Sequence, residues 1–172
     1  MFFELFPTVE YTNVGQTKPK TVTNIMRRVG VRQAIKENLT VFTRHTIRSG
    51  ETPESIAFDF YGDAELHWII LLTNDIYDRY HQWPMNVNQF QAYINEKYSD
   101  PFAVHHYEIT QTSGDTTIKI DIGQDNTDHG SATAVTNFEF EESRQDELRQ
   151  IRLVDPAHVN QFVSDFAKLM EE

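Results

Sequence analysis

The stretch Ile47-Arg48-Ser49-Gly50-Glu51-Thr52-Pro53-Glu54-Ser55-Ile56-Ala57-Phe58-Asp59-Phe60-Tyr61-Gly62, continued by Asp63-Ala64-Glu65-Leu66-His67-Trp68, decides the fold. It reads as strand, turn, helix, helix. Ser49-Gly50 is a turn; Thr52 suits an N-cap, Pro53 the first helical position, and Glu54 the first turn, where the helix dipole favours an acid. Gly62 supplies the stop. Ile56, Ala57, Phe60 and Tyr61 recur at helical spacing, and Asp63 caps a second helix from Ala64 to about Asn74. Leu66, Trp68, Ile69, Ile70, Leu71 and Leu72 surround that helix with apolar surface, so it requires cover on several sides.

Upstream, residues 39–48 are rich in Val, Thr, Phe and Ile and lead in as a strand. Before them, Thr23 or Asn24 starts a basic helix to about Asn38, residues 13–21 are a linker, and residues 1–12 are an irregular strand or arm. Downstream, residues 74–84 form an aromatic, polar loop. Tyr77, Tyr80 and Trp83 are apolar bodies with polar tips, the residue types that anchor protein interfaces and stack on sugars; Trp83 beside Pro84 also suits packing under its own domain. Val87 to about Tyr98 is a helix with one apolar face. Residues 104–110 and 116–122 form a hairpin in which Ile118, Ile120 and Ile122 alternate. Residues 123–137 bury almost nothing and read as a long loop. Phe138 and Phe140 alternate with Glu139 and Glu141 as in a strand, and residues 148–154 are a further strand. Asp155-Pro156 then caps a last helix striped by Val159, Phe162, Val163, Phe166, Leu169 and Met170.

The fold class is α+β: a βαα core module, a flanking amino-terminal helix and a carboxy-terminal hairpin, strand and helix. The expected division is 1–42 (arm and basic helix), 43–98 (core module and following helix) and 99–172. The 172 residues include no cysteine, which removes disulfides and thiolate chemistry together. Met1 to Pro7 is apolar but lacks a basic flank and is too short for a signal peptide or membrane span.

Net charge of -11 argues against nucleic acid or anionic membrane as partner. Its distribution is uneven. Residues 17–48 hold Lys18, Lys20, Arg27, Arg28, Arg32, Lys36, Arg44 and Arg48 against Glu37, a balance of +7 that leaves -18 elsewhere. The segment carrying Lys18, Lys20, Arg27, Arg28, Arg32 and Lys36 is a candidate docking surface for an acidic neighbour, including a second copy, or else a solvated face.

No constellation for catalysis emerges, and no cofactor is called for. Adjacent His105 and His106 face opposite sides of a strand and share no metal. Asp121, Asp125, Asp128 and Gly130 lack the alternating ligand spacing of a calcium loop. Asp75 and Asp78 suggest an acid/base pair only by proximity in sequence, and His67 falls on a buried helix.

The strand, the Ser-Gly-Glu-Thr turn and the two short helices resemble a LysM module, which makes the core LysM-like. Thr23-Asn24-Ile25-Met26-Arg27-Arg28, Gly50-Glu51-Thr52-Pro53, Tyr61-Gly62-Asp63-Ala64-Glu65-Leu66-His67-Trp68, Trp83-Pro84 and Leu148-Arg149-Gln150-Ile151-Arg152-Leu153 together resemble the LysM-containing baseplate wedge family of T-even-like contractile-tailed phages. That resemblance implies a non-catalytic virion protein in the tail baseplate, assembled in the host cytoplasm. The implied partners are other wedge proteins, the adjacent wedge and the central hub, with six copies per baseplate and neither nucleic acid nor membrane. The LysM resemblance implies a groove of Gly50, Glu51, Thr52 and Pro53 with Asn74, Asp75 and Ile76, to which the loop adds Tyr77, Tyr80 and Trp83. Such a groove binds the N-acetylglucosamine backbone of peptidoglycan in LysM modules. Here no compact closing strand follows Asn74, which favours a groove reused for protein.

Overall fold

Thr8, Val9 and Tyr11 open a strand, β1 (Thr8–Tyr11), after a 3-10 turn over Phe2–Leu5, and it pairs antiparallel with β2 (Lys20–Thr23). The structure is a computed structural model and describes residues 2–12, 15, 18–27, 29–31, 41–112, 114 and 117–171. Strand β2 stands where the sequence suggested a linker giving way to a basic helix. Its run Lys-Thr-Val-Thr has the β-branched residues a pleated ribbon favours, and the Asn24 side chain accepts from the Met26 N–H at 3.1 Å, turning the chain where a helix was expected to start. The remainder of that expected helix, including Arg28, Arg32 and Lys36, lies largely outside the described residues.

The quoted stretch folds as read. Strand β3 (Phe42–Thr46) leads into α1 (Pro53–Tyr61), whose N-cap Thr52 shares a reciprocal capping box with Ser55. Gly62 ends α1 at φ +77°, a left-handed conformation that only glycine adopts without strain. Asp63 then caps a 3-10 turn, Ala64–Leu66, that runs into α2 (His67–Thr73). Trp68, Ile69, Ile70 and Thr73 of α2 are buried. Two further helices follow, α3 (Arg79–Gln82) and α4 (Val87–Lys97), and then strands β4 (Val104–Thr110), β5 (Lys119–Asp121) and β6 (Thr133–Thr136). The chain ends with α5 (Asn137–Arg149), β7 (Gln150–Val154) and α6 (Pro156–Glu171).

The fold is α+β, but its division is not consecutive. One compact unit comprises Met1–Ile47, Glu51–Gln82 and Gln150–Glu172; the other comprises Arg48–Gly50 and Trp83–Arg149. In the first unit β7 pairs antiparallel with β3, from Phe42 opposite Val154 to Thr46 opposite Gln150. The strand missing after Asn74 therefore arrives from residue 150. Ile151, Leu153 and Val154 are buried, and Val154 joins a core with Trp68, Ile69, Val159, Phe166 and Met170. Trp68 packs on Phe166 with ring centroids 4.5 Å apart.

In the second unit β4 is the centre of a three-stranded antiparallel sheet, ordered β5-β4-β6. Two expectations fail here. Residues 133–136, assigned to a long loop, pair with β4, because strand pairing satisfies a short backbone that has little apolar surface of its own. Phe138 and Phe140 lie on a helix, not a strand. Thr136 and Glu139 form a capping box: the Thr136 hydroxyl accepts from the Glu139 N–H at 3.2 Å, and the Glu139 carboxylate accepts from the Thr136 N–H at 2.8 Å. That box starts α5, and the two rings go to different partners, Phe138 to Phe90 and Phe140 to His105.

Candidate functional site

Residues 74–82 of the aromatic loop belong to the first unit and are held by their own polar side chains. Gln82 Oε1 accepts from the N–H groups of both Tyr77 and Asp78 at 2.8 Å. Asp78 Oδ1 accepts from the Tyr80 N–H at 2.9 Å, and Asp78 Oδ2 lies 2.5 Å from His81 Nδ1. The His81 ring, followed by the Tyr80 N–H, holds the Asp78 carboxyl below its ordinary value. Asp75 takes a left-handed backbone, φ +56°, and its carboxylate accepts from the Tyr77 hydroxyl at 3.3 Å. A loop pinned in this way displays its rings: Tyr77 is 79% exposed and Tyr80 89%.

Arg79 and Glu54 bring the start of α1 to this loop, with Arg79 Nη1 2.5 Å from Glu54 Oε1. Partial burial works to raise the Glu54 carboxyl, but its own N–H, Arg79 and the Thr52 hydroxyl outweigh it and hold the group below its ordinary value. The sequence placed Glu54 in the first turn of the helix but did not single out Arg79; a pair 25 positions apart has no periodic signature.

The other expected groove residues have identifiable duties. Glu51 lies 3.2 Å from His45 Nε2, Thr52 is committed to its cap, Pro53 is buried and Ile76 is half-buried. Asn74 donates to the Ile70 and Arg152 carbonyls and accepts from the Arg152 N–H, all at 2.8 Å, so it braces β7. Gly50 and Trp83 belong to the second unit. Of the basic segment, Lys18 and Lys20 are exposed, whereas Arg27 donates to the Leu169 carbonyl in the last turn of α6 at 3.2 Å, a favourable place for a cation. A cavity of about 540 Å³ opens in the first unit beside α6, lined by Val31, Val41, Leu72, Phe162 and Leu169. None of the expected groove residues lines it.

In the second unit a register shift at Val104 and His106 overturns the expectation that the two histidines face apart. The bulge sets His105 Nδ1 2.9 Å from His106 Nδ1, with the His105 ring stacked on Phe140 at 3.9 Å. Among the described residues no group of three or more histidines and carboxylates is placed to hold a metal ion. No described helix is long and apolar enough to cross a membrane.

The aromatic loop, braced by polar side chains and presenting two rings to solvent, has the make-up of a contact surface. Over its full length the chain is similar to baseplate wedge protein gp53 of Enterobacteria phage T4, with 26% identity over 193 residues covering 97% of that protein. A stretch of 37 residues, 22% of the chain, is 49% identical to two Mycobacterium tuberculosis esterases, Esterase MT1326 and Esterase Rv1288, but spans only 8% of each. The model of the family described as base plate wedge protein 53 matches residues 1–111, well over half of the chain, and the chain belongs to that family.

Proposed function

We propose that the chain is a non-catalytic structural component of the baseplate wedge in a phage tail, and that the loop bearing Tyr77 and Tyr80 is a surface by which it holds a neighbouring subunit. Family membership supports the first part. The second rests on one observation: two exposed tyrosines stand on a backbone already fixed by Gln82 and Asp78. Exposed aromatic anchors on a pre-ordered loop bind at low entropic cost. In this reading the loop contacts another wedge protein, the adjacent wedge or the central hub, in six copies per virion baseplate assembled in the host cytoplasm.

Replacing Tyr77 and Tyr80 together with alanine tests the reading. Both side chains are mostly in solvent, so the melting temperature stays at the wild-type value while the amount recovered in purified baseplates falls at least tenfold. Wild-type recovery would remove the loop from assembly. A second reading, peptidoglycan binding, draws on the same exposed rings, which stack on sugars, and on the β3-α1-α2-β7 order. Its test is co-sedimentation of the purified chain with peptidoglycan; retention lost in the double tyrosine variant would favour it.

A further inference from the structure

Strand β5 is an open edge with a self-complementary sequence, Ile118-Lys119-Ile120-Asp121-Ile122. It is the outer strand of its sheet and, among the described residues, pairs with β4 alone. The Gln111 N–H donates to the Ile118 carbonyl at 3.0 Å, and the Ile122 N–H to the Tyr107 carbonyl at 2.9 Å. Ladder alternation then turns the backbone of Ile118, Ile120 and Ile122 toward β4 and that of Lys119 and Asp121 outward. Lys119, Ile120 and Asp121 are all exposed, and so is Ile118, by 47%. An exposed edge lined by isoleucines is a template for another strand.

Register says which strand. Laid antiparallel against a second β5, the outward groups of Lys119 and Asp121 can meet their equivalents centred on Lys119, on Ile120 or on Asp121. The first sets Lys119 against Lys119 and the last Asp121 against Asp121, both like-charge pairs. Centred on Ile120, Lys119 of each copy lies opposite Asp121 of the other, Ile118 opposite Ile122, and Ile120 opposite itself. A slip of one residue would turn isoleucines to the charged side.

The environment of Asp121 favours the same arrangement. Across the ladder it stands opposite Glu108, an acid beside an acid, and Glu108 Oε1 lies 3.2 Å from His106 Nε2. A second copy brings Lys119 to the open side of Asp121. Lys119 is free to serve, since within its own copy Nζ reaches Thr110 Oγ1 at 3.4 Å. We propose that two copies pair β5 against β5 about a two-fold axis at Ile120, joining their sheets into one. The contact is isologous and closes at the dimer. It uses no residue of the tyrosine loop, and failure of either leaves the other standing.

Sedimentation velocity of the full-length chain tests it, at about 0.15 M salt so that the net charge of -11 on each copy is screened more than pairs in contact are. Up to about 1 mM, the weak end of specific association, the wild type is expected to pass from monomer to dimer and no further. Lys119→Asp and Asp121→Lys are each expected to weaken dimerisation about tenfold. An equal mixture of the two restores it, because opposite charges again meet across the axis. Lys119→Pro removes an outward N–H that β4 does not use, so the fold is kept and the dimer lost. Circular dichroism checks each variant; Asp121 also accepts from the Gly123 N–H at 2.7 Å, and should Asp121→Lys disturb that turn, Lys119→Pro carries the test. A wild type monomeric throughout that range, assembly beyond a dimer, a proline variant dimerising like the wild type, or a folded mixture as monomeric as its parts would overturn the proposal.

Discussion

Asn74 commits both ends of its carboxamide to backbone, to the Ile70 carbonyl at the end of α2 and to both main-chain groups of Arg152 in β7. Sequence placed it in a groove because it follows an apolar helix, and nothing local revealed a partner 78 positions on. Asn74→Ala leaves those groups without their partner and costs about 1–3 kcal/mol. Asn74→Asp is expected to cost more despite equal size, because a carboxylate there faces two carbonyl oxygens and has no N–H to give them. Urea denaturation of both variants checks the order; an aspartate variant as stable as the wild type would contradict it. The histidine pair teaches the same lesson. Alternation separates His105 from His106 in a regular strand, and a bulge, which the sequence does not announce, brings them together.

Elements whose start and stop signals lie within a few residues were legible. Helix α1 has its cap at Thr52 and its left-handed stop at Gly62, and α6 starts at Asp155-Pro156, where the Asp155 carboxylate accepts from the Ala157 N–H at 2.9 Å. Illegible elements owe their form to partners. Strand β6 exists because β4 accepts it, and in α5 the spacing of two phenylalanines imitated a strand while the Thr136 and Glu139 box set a helix. Helices α4 and α5 are tied by Glu141, buried at 2% exposure, with Lys97 Nζ at 2.5 Å and the Tyr98 hydroxyl at 2.9 Å. Burial works to raise the Glu141 carboxyl, but Lys97, Tyr98 and Arg144 outweigh it and hold it below the ordinary 4.5. A depressed carboxyl stabilises the fold above its unfolded value, and that contribution is lost as pH falls through the folded one. Glu141→Gln is therefore expected to cost about 2 kcal/mol near neutral pH and to flatten the acid limb below pH 4.5. Melting temperatures from pH 7 down to about 3 check this; parallel acid limbs would assign the pH dependence elsewhere.

At the scale of the molecule, charge was legible and connectivity was not. The basic amino-terminal segment and acidic remainder follow from counting. The first unit, assembled from stretches on both sides of the second, follows from one strand pairing that joins residues roughly a hundred positions apart, beyond the reach of periodicity. Ending the chain after Arg149 removes β7 and α6 together. Hydrogen exchange should then show protection retained in 87–97 and 104–110 but lost in α1 and α2, whose cover is gone. Protection surviving in α2 would mean that the first unit does not depend on β7.

The same pairing sets a clock on synthesis. Strand β3 leaves the ribosome with its edge open and meets β7 only when the chain from residue 150 onward emerges. At roughly 5–20 residues per second that is an interval on the order of 5–20 s. Residues 83–149 emerge within it, so the later-made unit can be finished while the earlier one waits, and an unpaired strand edge has longest to meet a wrong partner there.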